Sequence, residues 1–259
     1  MKKLVIIIFY IIFNTIPPAY AAPLFPNSIV SNNLEFITTK DESSFSCITY
    51  TGVIRAEMPD KRKDELFANG VFSYISKFND GTTVILWVHP DVGTKGAAEP
   101  YVNQVAQAIG KLPTIMRRGL DYVVILVGDE GAYAEDEGHF FVLYTDNINT
   151  RIKGHDLEET VFHESVHATL DYKYAKSQSW IKAQKADHNF ITKYAAQKPQ
   201  KEDMAESALF AWTILIHPKR LPDKVEKRAI EIMPNRIKFF EKIFKSQPIF
   251  FSIGKASSC

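Results

Sequence analysis

Cysteine is nearly missing from this chain of 259 residues, with Cys47 and Cys259 the only two. We therefore expect no cysteine ligand to a metal, and sequence leaves open whether the two form one bridge or stay separate thiols. Charge of one sign is missing as well: 31 Lys and Arg against 30 Asp and Glu leave a formal charge of +1. Such a balance gives no electrostatic case for nucleic acid or an anionic membrane as partner. Beyond the first residues no apolar run has the roughly 20 residues needed to span a bilayer. Internal repeats and low-complexity tracts are lacking, and strand signals become sparse after Tyr144.

The beginning of the chain reads as a leader rather than as part of a fold. Lys2 and Lys3 precede an apolar run over 4–13, then Pro17-Pro18 and Ala19-Tyr20-Ala21, which has the A-x-A form of a cleavage site. We expect residues 1–21 to be a secretory signal peptide cut after Ala21, and the mature chain to be exported to a periplasm or the medium. No stable membrane association is expected after cleavage. Loss of Lys2 and Lys3 takes the formal charge from +1 to −1.

The remainder divides by periodicity. Residues 22–45 are polar and proline-bearing, an extended lead-in with one short strand expected at 34–38. Strands are expected at 47–54, 71–78 and 82–88, the last two joined by Asn79-Asp80-Gly81, where glycine accommodates positive φ. The spacing predicts a helix over 99–112 and a buried central strand over 121–127. The acidic loop 128–138 lacks the ligand spacing of a calcium loop and reads as a solvated rim. A strand at 139–145 follows, expected at the sheet edge, where an extended peptide would add to it. Helices are expected over 179–193, 199–216 and 222–244, the last broken at Pro234. The fold class is α+β: one domain over 46–259, with a β-rich lobe (46–145), a motif helix and an all-helical lobe (146–259).

The chemistry lies in His163-Glu164-Ser165-Val166-His167. On a helix, residues four apart share a face, so both imidazoles can meet one metal ion while Glu164 turns toward its open position. Asp156 and Glu159 have capping-box spacing, and Leu157, Val161, Val166 and Leu170 supply the core-facing stripe. A catalytic zinc needs a third protein ligand and an open position. Six residues past His167 stands Lys173, so a third histidine there is excluded. The better source is Glu202-Asp203-Met204-Ala205-Glu206 at the opening of a later helix. Glu202 and Glu206 share a helical face, so one can bind metal while the other fixes a histidine tautomer, and the residues alone leave the order open. Asp203 reads as a capping or solvated acid, and Asp171, one turn past His167, as either a group backing a ligand histidine or a surface salt-bridge partner, but not as a ligand.

The two runs together resemble those of the gluzincin metallopeptidases, whose pattern is H-E-x-x-H followed on a later helix by Glu-x-x-(Ala or Ser)-(Asp or Glu), as in thermolysin-like enzymes and the zinc domain of anthrax toxin lethal factor. The resemblance covers roughly residues 156–216. It implies a zincin-like fold, one zinc ion per chain, His163, His167 and Glu202 as ligands, Glu164 as general base and Glu206 as a carboxylate backing a ligand histidine. Tyr194, eight residues before Glu202, resembles the lethal factor tyrosine placed to donate to an oxyanion, with His188 the alternative donor. His89, His139, His155 and His217 read as structural. The expected activity is hydrolysis of a peptide or protein substrate. The other readings are a non-catalytic binding protein on the same scaffold and a zinc amidase acting on cell-wall peptides.

Overall fold

At the Asn79–Asp80–Gly81 corner Gly81 takes φ +79°, and Asp80 accepts from the Thr82 amide and hydroxyl, so the chain reverses tightly. This computed structural model describes residues 22–135, 139–187, 189–245 and 259. The expected leader at 1–21, His188 and part of the acidic loop lie outside the described residues.

The chain order is β1 (Phe45–Glu57), β2 (Phe67–Phe78), β3 (Thr83–Val88), α1 (Lys95–Gly110), α2 (Thr114–Arg117), β4 (Tyr122–Leu126), β5 (Tyr133–Ala134) and β6 (Phe140–Tyr144). Helices follow: α3 (Thr145–Gly154), α4 (Leu157–Ser165), α5 (Tyr172–Tyr174), α6 (Gln178–Asp187), α7 (Lys193–Gln197), α8 (Asp203–Ile216), α9 (Asp223–Ile232) and α10 (Pro234–Phe244). The described strands form one six-stranded sheet in the order β1-β2-β3-β4-β6-β5. β1, β2 and β3 are antiparallel, β3, β4 and β6 are parallel, and β5 returns antiparallel to β6. The coarse α+β class therefore holds, and among the described residues no named strand follows Tyr144.

β4 alternates between two cores, as a strand buried on both faces must. Val123 and Ile125 join the main core with Phe141, Leu143, α1, α4 and α8, while Val124 and Leu126 join Val142, Tyr144, Ala56 and Met58. Phe162, Phe210, Trp212 and Phe240 lie in the main core, which fixes α4, α8 and α10 against one another.

Three expectations are corrected. β6 is not an edge: β4 and β5 occupy both of its sides, so the peptide groups at 139–145 are already paired and β5 is the outer strand. Residues 34–38 form no strand; the Phe36 and Ile37 amides point to Glu159 instead. That removes Glu159 from the expected capping box, and Asp156, the N-cap residue, spends its side chain on Arg151 at 2.9 Å.

Cys47 and Cys259 form a disulfide, with Cα atoms 6.1 Å apart, tying β1 to the chain end. Two buried arginines pin the lobes. Arg117 meets Asp80 at 2.5 Å behind the β2–β3 turn, and Arg236 of α10 holds both Asp187 and Asp203. Asp203 is thus an inward ion-pair partner, not a solvated acid. Among the described residues no helix is long and apolar enough to cross a membrane.

Candidate metal centre

Leu157, Val161 and Phe162 bury one face of α4, and this burial presents His163 and Glu164 on the other. The helix then widens into a π-helical stretch, Val166–Asp171, that carries His167. Such local widening occurs often at functional sites, because it re-aims side chains without breaking the helix. Here His163 Nε2 and His167 Nε2 come to 3.1 Å of each other.

The third group arrives from the start of α8. Glu202 is its N-cap residue, and its Oε2 lies 3.6 Å from His163 Nε2 and 3.4 Å from His167 Nε2. His163, His167 and Glu202 form a group able to hold a metal ion. Between the two glutamates of the second run, Glu202 faces the histidines' outer nitrogens, and Glu206 does not. Glu206 lies behind His163, its Oε1 3.8 Å from Nδ1, and accepts from Ser28 Oγ at 2.5 Å and the Ile29 amide at 3.0 Å. His163 Nδ1 is buried without a hydrogen-bond partner among the described residues.

Of the two readings open for Asp171, the structure shows the one that backs a histidine. Its Oδ2 sits 2.6 Å from His167 Nδ1, which fixes the ring with Nε2 turned toward Glu202. The available signal was its spacing of four from His167, the same interval that joins the two histidines. Tyr194, on α7, donates to Glu202 Oε1 at 2.8 Å, so the carboxylate is held by one oxygen and offers the other. Lys198 Nζ lies 3.3 Å from the same hydroxyl.

Electrostatics follow from burial and close charges. Burial pushes the Glu164 carboxyl up, with His163 and His167 opposing. Burial would also push Glu202 up, but His163, His167 and Tyr194 hold it well below the usual carboxylate range. Burial opposes charging His167, yet Asp171 and Glu202 outweigh it and raise the imidazole well above its ordinary value. Burial raises Asp171 despite His167, and raises Glu206 against the pull of His163 and Ser28. Burial and then Glu202 raise the Tyr194 phenol.

The other described histidines lie elsewhere. His89 accepts from the Asp91 amide, His139 packs on the Tyr172 ring, His155 ends α3 in the left-handed region, and His217 lies beside Asp41. Comparison with protein-family models, curated proteins and solved structures gives no match to this chain.

Proposed function

We propose that this chain is an exported zinc-dependent metallopeptidase of the gluzincin type, with a zincin-like fold and a peptide or protein as substrate. The observation that carries the reading is the convergence of His163 Nε2, His167 Nε2 and Glu202 Oε2, with Glu164 on the same helix. Their separations of 3.1, 3.4 and 3.6 Å suit a tetrahedral ion. Bonds of about 2.0–2.1 Å place tetrahedral ligands about 3.3 Å apart. Nitrogen and carboxylate oxygen are zinc's donors, and the orphaned His163 Nδ1 supports Nε2 ligation, since its proton then faces Glu206.

When bound, zinc supplies a Lewis acid that polarises a carbonyl and lowers the pKa of a water molecule toward about 7. Glu164 takes the proton from that water as its oxygen bonds to the scissile carbonyl carbon. It then delivers the proton to the departing amine nitrogen as the C–N bond breaks. Among the described residues the Glu164 carboxylate makes no hydrogen bond, whereas Glu202, Glu206 and Asp171 are each held by a partner. Tyr194 orients Glu202 first; donating to the developing oxyanion requires its hydroxyl to leave Oε1. β5 is the outer strand of the sheet and packs against α4, so an extended substrate would add along its open edge. A structural zinc site needs no general base, which favours this reading over a non-catalytic binding protein.

Glu164→Gln tests the chemistry: the variant keeps its metal and fold and loses peptide hydrolysis. Hydrolysis at the parent rate by Glu164→Gln excludes Glu164 as the base.

A further inference from the structure

Residues 24–37 run behind the metal centre and touch α4, α7 and α8. At one end Leu24 donates to Ile191 O at 2.9 Å, Lys193 donates to Phe25 O at 2.8 Å, and Phe25 bridges Thr192, the N-cap residue of α7 that carries Tyr194. In the middle Ser28 and Ile29 donate to the two oxygens of Glu206 on α8. At the other end the Phe36 amide donates to Glu159 Oε1 on α4 at 2.7 Å. Phe25 stacks on Phe210 of α8 and Phe36 meets the same ring edge-on at 4.8 Å, so the segment is clamped by apolar packing as well.

Glu159 and Glu206 are fully buried. Glu159 lies one helical turn before His163, and Glu206 one turn after Glu202, so each reports on a ligand of a different helix. Buried carboxyl groups depend on hydrogen-bond partners, and the donors that Glu159 and Glu206 have belong to neither helix. We propose that residues 24–37 are a positioning strap for the metal centre, in which Ser28 and Ile29, through Glu206, set the distance between His163 and Glu202 and so set metal affinity.

This inference rests on the metal site proposed above and deepens it. Ser28 touches no metal ligand's donor atom; it acts by anchoring the carboxylate 3.8 Å behind His163 Nδ1. Groups that orient ligand histidines commonly change metal affinity by about 10–100-fold when removed. By linkage the coupling is reciprocal: metal binding also holds the strap down.

The test uses the full chain and Zn2+ titrated against a chromophoric chelator, well below the unfolding temperature. Ser28→Ala is expected to weaken Zn2+ binding about tenfold, and Ser28→Thr, which keeps the hydroxyl, to restore it. Glu206→Gln, which keeps the shape and loses the charge, is expected to weaken it further. Thr51→Ala removes a similar hydroxyl bond, to Ser73 in the β1–β2 pair, and is expected to leave Zn2+ affinity at the parent value. Unchanged affinity in both Ser28→Ala and Glu206→Gln overturns the strap, as does an equal loss in Thr51→Ala, which marks general loosening. A parent chain that binds Zn2+ without hydrolysing any peptide sinks the peptidase reading and leaves the strap standing; one that binds no Zn2+ overturns both.

Discussion

Asp171 Oδ2 stands 2.6 Å from His167 Nδ1, across the π-helical stretch that separates the two residues by one turn. The pair determines which nitrogen of His167 faces Glu202. Asp171→Asn is therefore expected to weaken metal binding by about 10–100-fold with little change in fold, read by chelator competition and circular dichroism. Unaltered affinity would show that His167 is oriented by packing alone.

Glu159 couples stability to pH. Burial, opposed by the Phe36 and Ile37 amides, pushes its carboxyl up to about 8 from an ordinary value of 4.5. Between those values the folded chain holds a proton that the unfolded chain has released. The contribution is fully present below pH 4.5 and is lost as pH rises through about 8. We expect an order of a few kcal/mol, seen as a falling denaturation midpoint from pH 5 to 9. Glu159→Gln removes the titrating proton and flattens that slope; equal slopes in parent and variant rule out Glu159 as its source.

The Cys47–Cys259 bridge closes a loop spanning a sequence separation of 212. In the chain-entropy account so long a loop contributes about 5 kcal/mol by constraining the unfolded chain. Reduction with dithiothreitol is expected to lower the thermal midpoint by several degrees while leaving Zn2+ affinity near the parent value, because the bridge lies at β1 and the ligands on α4 and α8. A thermal midpoint indifferent to reductant would contradict it.

The parts legible in sequence are those fixed by local patterns. Asn79-Asp80-Gly81 gave the β2–β3 turn, the apolar run of β4 its double burial, Pro234 the break between α9 and α10, and the spacing of His163 and His167 their shared face. Contacts across long sequence distances were not legible. Glu159 has capping-box spacing, yet it serves Phe36 and Ile37, more than 100 residues earlier. Asp203 sits where a helix N-terminus favours an acid, yet it turns inward to Arg236. The π-helical turn at 166–171 leaves no mark in a pattern of apolar residues, so the sequence left Asp171 open between backing His167 and lying on the surface. The edge position of β6 was lost to two residues, Tyr133 and Ala134, too short a strand for alternation to show.

The central claim is a zinc ion held by His163, His167 and Glu202, and elemental analysis of the purified chain measures it most directly. The account predicts about one zinc per chain in the parent protein and a sharp drop in His163→Ala. A folded parent protein purified without chelator that carries no zinc, and takes up none when zinc is supplied, would contradict it.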